Sequence, residues 1–120
     1  MARVELDDSW LIADGDADEI QSDVRKFLKK QGMSVVDDDE GEIRAEQGSQ
    51  IGTRLLGGWF VPASWLPKAA TIRVKQTKKG VRIVASIEET LGFGLLDPLL
   101  ASKYDSFFQR WMEDLRDLHE

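Results

Sequence analysis

The chain has no cysteine, and its one histidine, His119, is next to last among 120 residues. Without cysteine there are no disulfides and no thiolate metal sites, which fits a reducing cytosol. A lone histidine in that place reads as a frayed end and leaves Ser-His or Cys-His nucleophile pairs without a base. The first residues, MARVELDDSW, lack an apolar h-region, so no secretory signal is expected. No run approaches the ~20 apolar residues needed to span a bilayer. The length is that of one domain, residues 1–120, and a cytoplasmic location is expected.

Acidic residues are missing from one stretch of the chain. Between Gln47 and Ile87 stand Arg54, Lys68, Arg73, Lys75, Lys78, Lys79 and Arg82, with no acid among them. The rest of the chain is strongly acidic, and the net charge is −6. An acidic protein is a poor general binder of nucleic acid, but a local basic sector can meet an anionic lipid surface or an acidic partner.

The known chemical motifs are absent or incomplete. Asp14, Asp16 and Asp18 have the spacing that opens a calcium loop, but Glu19 and Arg25 stand where that loop needs Gly and Glu. A helix start explains these acids instead. Gly57-Gly58 and Gly92-Phe93-Gly94 form no phosphate-binding fingerprint. No cofactor and no metal are expected. Glu88 and Glu89 are the carboxylates best placed for acid/base work, at a strand end near a loop; the competing reading is solvated strand-end charge.

Periodicity gives the elements. Ser9–Ala13 reads as a strand that Arg3–Leu6 would extend. A helix follows, with Asp16 as N-cap, Glu19 as capping-box partner, and Ile20, Val24, Phe27 and Leu28 on one face. Gly32 suits its left-handed C-terminal stop. Met33–Val36 is a second strand, the acidic run Asp37–Gly41 a turn, and Glu42–Gln47 a third strand that resumes through Thr53–Leu56. Ala70–Thr77 and Val81–Thr90 alternate apolar and polar around Lys78-Lys79-Gly80, the pattern of a hairpin. The last helix opens at Pro98 behind Asp97 as N-cap. It carries Leu100, Tyr104, Phe107, Phe108, Trp111, Leu115 and Leu118 as one stripe, with Met112 at its edge.

The fold class is therefore α+β, in the order β-α-β-β-β-β-α, with a curved antiparallel sheet and two helices on one face. This order of elements resembles the TATA-binding-protein-like architecture. It also resembles an abbreviated helix-grip fold of lipid-binding START-like proteins, which implies a long C-terminal helix across a curved sheet. No sequence motif carries the likeness, so it transfers no function.

One segment stands apart. From Ile51 to Pro67 there are nine apolar residues, two of the four tryptophans and one charge, Arg54. Pro62, Pro67 and Gly57-Gly58 prevent a single helix or strand. Trp59, Phe60, Val61, Trp65 and Leu66 either cap the core or form a contact surface beside Arg54, Arg73 and Lys75, with Phe93 as a further contact point. The expected function is a small non-enzymatic binding domain. It would use this segment and the adjoining sheet to hold a protein partner, a second copy or a hydrophobic small molecule. The alternative is attachment to an anionic membrane surface through the same segment and the basic residues of 54–82. A small acid/base enzyme is the third reading.

Overall fold

Alternation along the strands decides the two sides of the sheet. The computed structural model describes residues 4–39, 41–47, 67–90 and 98–119. Within them the chain runs β1 (Glu5–Ile12), α1 (Ala17–Lys30), β2 (Ser34–Asp39), β3 (Glu42–Gln47), β4 (Lys68–Thr77), β5 (Gly80–Glu89) and α2 (Pro98–Asp117). The five strands form one antiparallel sheet in the order β1-β5-β4-β3-β2. Strands β2 to β5 are a meander. Helix α1 carries the chain across the sheet, so β1 lies on the free edge of β5 rather than beside β2.

Both helices lie on one face. Ile43, Ala45, Ala70, Ile72, Val74, Val81, Ile83, Ala85 and Ile87 turn inward from the strands. They share one cluster with Ile20, Val24, Phe27 and Leu28 of α1 and with Tyr104, Phe108, Trp111, Met112 and Leu115 of α2. Phe27 and Trp111 join the two helices edge to face, with ring centroids 5.6 Å apart. Each large side chain buried this way contributes roughly 1.5–3 kcal/mol. The other face of the sheet carries no described element.

Local chemistry fixes the joints. The Asp16 carboxylate caps α1 by accepting from the Asp18 N–H at 3.3 Å, and Glu19 makes no reciprocal bond. The first turn is thus capped by Asp16 and by Gln76, whose Oε1 accepts the Ala17 N–H at 3.2 Å, and not by a capping box. Gly32 ends the helix at φ +82°, where a Cβ is strained. The β4–β5 turn is two residues long, Lys78-Lys79, because Thr77 pairs with Gly80. A Cβ on Gly80 would collide with the Ile12 carbonyl oxygen, so glycine lets β1 end against this turn.

Three boundaries differ from the periodicity. Strand β1 is continuous from Glu5, because Asp7 points to the open face and Asp8 pairs with Arg116 at 2.9 Å. Strand β2 starts at Ser34 and runs through the acidic stretch to Asp39. It is an edge strand, with Val35 and Val36 40% and 55% exposed and a register shift between Val35 and Asp37. On α2, Met112 is buried, Phe107 is the half-buried edge, and Leu118 falls outside the stripe.

Candidate functional site

Three polar arrangements emerge from this frame. The first is the helix-free face of the sheet, where Arg73 and Lys75 project. Arg73 pairs with Glu42 at 2.9 Å. Lys75 stands directly opposite Arg82 in the β4–β5 register, and Lys78 and Lys79 follow in the turn. None of these four cations has an ion-pair partner among the described residues. Leu11 and Val84, exposed on the same face, flank them.

The second arrangement is buried. Lys68 was grouped by sequence with the basic sector, and Glu89 with solvated strand-end charge; both instead face the core. They stand opposite each other where β4 begins and β5 ends. The alternation that turns Ala70 and Ile72 inward turns Lys68 inward too. Lys68 Nζ lies 4.4 Å from the centroid of the Phe107 ring and donates to Gln47 Oε1 at 3.3 Å. Gln47 in turn donates to the Gln31 carbonyl at 2.6 Å, tying the sheet to the end of α1. Burial pushes the Lys68 ammonium down to about 7. Burial, and then the nearby Glu89 charge, raise the Tyr104 phenol above its usual range.

The third is an open cleft of about 550 Å³ where the end of β1, the start of α1 and the end of α2 converge. His119 is one wall. Its side chain is only 14% exposed, and Nε2 lies 3.1 Å from Oδ2 of Asp23 on α1. The frayed-end reading is therefore corrected: α2 is long enough to return His119 to the first helix. Arg116 stacks over the Trp10 ring at 5.5 Å while bonded to Asp8. Asp14, Asp16 and Glu19 line the opposite side without ion-pair partners among the described residues. Two atoms behind the wall, Trp10 Nε1 and His119 Nδ1, are buried without a hydrogen-bond partner.

Of the contact residues expected from sequence, only Arg73 and Lys75 belong to a described site. Arg54, Trp59, Phe60, Val61, Trp65, Leu66 and Phe93 lie outside the described residues, as do the expected Thr53–Leu56 strand and the Asp97 cap. Trp10, Asp23, Arg116 and His119 went unread as a group. The one sequence signal for them was spacing: Arg116, in the last turn of α2, and His119, two residues past its end at Asp117, are three apart, the separation of neighbours on one helical turn.

Among the described residues no three metal-binding side chains converge, and no helix is long and apolar enough to cross a membrane. No protein-family model and no curated protein matches the sequence.

Proposed function

We propose that this chain is a non-enzymatic binding domain that holds a small cationic molecule in the cleft between β1, α1 and α2. The observation that carries this reading is the mismatch between the cleft's walls. Arg116 is already engaged with Asp8, and the His119 ring with Asp23. Asp14 and Glu19, which also line the cleft, are in no ion pair among the described residues, and Asp16 is engaged only with the Asp18 N–H. An ammonium or guanidinium group supplies the missing charge. The volume lies within the roughly 300–1,000 Å³ of small-molecule sites.

Binding is favoured over turnover because Asp23 is the one hydrogen-bond partner of the His119 ring among the described residues. No serine, threonine or lysine hydroxyl or amine stands within bonding distance of its ring among the described residues. A base without an adjacent nucleophile does not activate one.

The test is ¹H–¹⁵N NMR of the Trp10 indole and the amides of residues 14–23, titrated with putrescine and agmatine, with citrate as the anionic control. Saturable shifts with the two cations, lost in the Asp14→Asn, Glu19→Gln variant, support the reading. Shifts of equal size with citrate, or none with any probe, refute it.

A further inference from the structure

We propose that the free edge of β1 takes up an extended basic segment of a partner protein as a sixth strand of the sheet. The hydrogen-bond register says which backbone groups are open to it. The Glu89 N–H donates to the Val4 carbonyl at 3.0 Å, so Val4 and Glu89 form a bonded pair. Bonded and non-bonded pairs alternate along an antiparallel ladder. Leu6, Asp8, Trp10 and Ile12 therefore direct their backbone groups to β5, and Glu5, Asp7, Ser9 and Leu11 direct theirs outward. No described element pairs with that side of β1. One of the outward donors already takes a substitute acceptor: the Ser9 N–H donates to Oδ1 of Asp8 at 2.8 Å, a carboxylate in place of a strand carbonyl.

The two edges of the sheet differ. The register of β2 shifts between Val35 and Asp37. Irregularity of that kind turns an edge away from further pairing. β1 runs through eight residues in unbroken register, without proline or lysine. Its regular row of unpaired donors and acceptors is the template that an added strand needs.

Charge names the occupant. Beside the edge lies a groove of about 340 Å³ between β1 and α2, with Leu6 and Met112 as apolar lining and Asp7, Asp8 and Glu113 as acids. Asp8 is engaged with Arg116, whereas Asp7, Glu113 and the neighbouring Glu5 are in no ion pair among the described residues. Glu5 and Asp7 project to the helix-free face, and Leu6 packs against the core on the other. Residues directly opposite across an antiparallel pair share a face. The fitting segment therefore carries Lys or Arg opposite Glu5 and Asp7, and Val or Ile opposite Leu6. A second copy fits less well. In the antiparallel register centred on Asp8, that carboxylate would meet its own copy, and Asp7 would lie diagonally from Asp7, like charge against like.

Backbone hydrogen exchange with a defined peptide tests this. The probe is the acetylated and amidated peptide TKVKVKT, with TEVEVET as the acidic control. Saturating TKVKVKT should slow exchange of the Glu5, Asp7 and Leu11 amides by about tenfold or more, and change those of Leu6, Asp8 and Trp10, already bonded to β5, much less. Asp7→Lys, Glu113→Lys should weaken the peptide by about tenfold or more at low salt. Ser9→Pro removes an outward donor and no bond to β5, and should abolish the protection; if that variant fails to fold, Asp7→Lys, Glu113→Lys decides. The cleft variant Asp14→Asn, Glu19→Gln should bind the peptide as the wild type does, and loss of binding there assigns the peptide to the cleft and overturns the proposal. Equal protection by TEVEVET, or binding of TKVKVKT without the alternating pattern, also overturns it. A wild type that shows the alternating protection without peptide, at twice 13.6 kDa by light scattering, has its edge filled by a second copy and overturns it in favour of self-pairing.

Discussion

The phenol of Tyr104 donates a hydrogen bond to the carbonyl of Pro67 at 2.8 Å, and both groups are buried. The same carbonyl accepts from the Thr90 N–H at 3.0 Å. One turn of α2 is thereby fastened to the place where β4 enters and β5 leaves the sheet. Tyr104→Phe removes one of two bonds to that oxygen and leaves no acceptor stranded. The expected loss is about 1 kcal/mol, at the low end for a buried hydrogen bond. Urea melts of the two proteins measure it, and a loss above about 3 kcal/mol would contradict the shared-acceptor argument.

Trp111 is the larger anchor. It is 1% exposed and packs edge-on against Phe27. Trp111→Ala should cost roughly 3–5 kcal/mol. Trp111→Phe should cost much less, because the indole N–H it removes has no partner to lose. Equal losses from the two variants would mean that the indole nitrogen is satisfied in solution.

Lys68 gives stability a distinct dependence on pH. In the unfolded chain its amine keeps a proton up to about 10.5, and in the folded chain up to about 7. Between those values unfolding takes up a proton, so stability should rise with pH through this window, by about 1.4 kcal/mol per unit at most. Below pH 7 the charged amine is buried and the benefit is gone. Lys68→Met should flatten the rise in urea midpoints measured from pH 6 to 10. An identical slope in both proteins would show that Lys68 stays protonated in the fold, held by its neighbours.

Gly80 is the most constrained turn position described. Its φ is +137°, and a Cβ there meets the Ile12 carbonyl oxygen and the Ala13 backbone. Gly80→Ala should cost about 1–3 kcal/mol or more, and the hydrogen-exchange protection lost should be concentrated in β1. Uniform loss across the sheet would locate the strain elsewhere.

Periodicity made most of the frame legible because it reports which way a side chain faces on its own element. Ile20, Val24, Phe27 and Leu28, or Ile43 and Ala45, need no knowledge of the rest of the chain to be placed inward. Asp37–Asp39 did not read as strand because β2 is an edge with neither face in the core. Its pairing comes from β3, and Asp38 is held by Arg25 at 2.6 Å. Lys68 and Glu89 sit at inward-facing positions whose polar identity argued the other way. The cleft was hidden for a different reason. Trp10, Asp23 and His119 belong to three elements, and only the length of α2 and its angle across the sheet bring His119 back to α1.

Strand β1 lies against β5, pairing Glu5 with Glu88 and Ile12 with Val81. The N-terminal strand of this sheet therefore waits for its C-terminal one. Until Glu89 has emerged, β1 has no place in the sheet, and the hairpin of β4 and β5 must form with one of its edges bare. Assembly should thus be slow for a chain of this size, since its largest loop closes late. A circular permutant that begins at β2 and carries β1 after α2 would change that order while keeping every native pairing. The two chains would then separate the time taken to find β5 from the stability gained on reaching it.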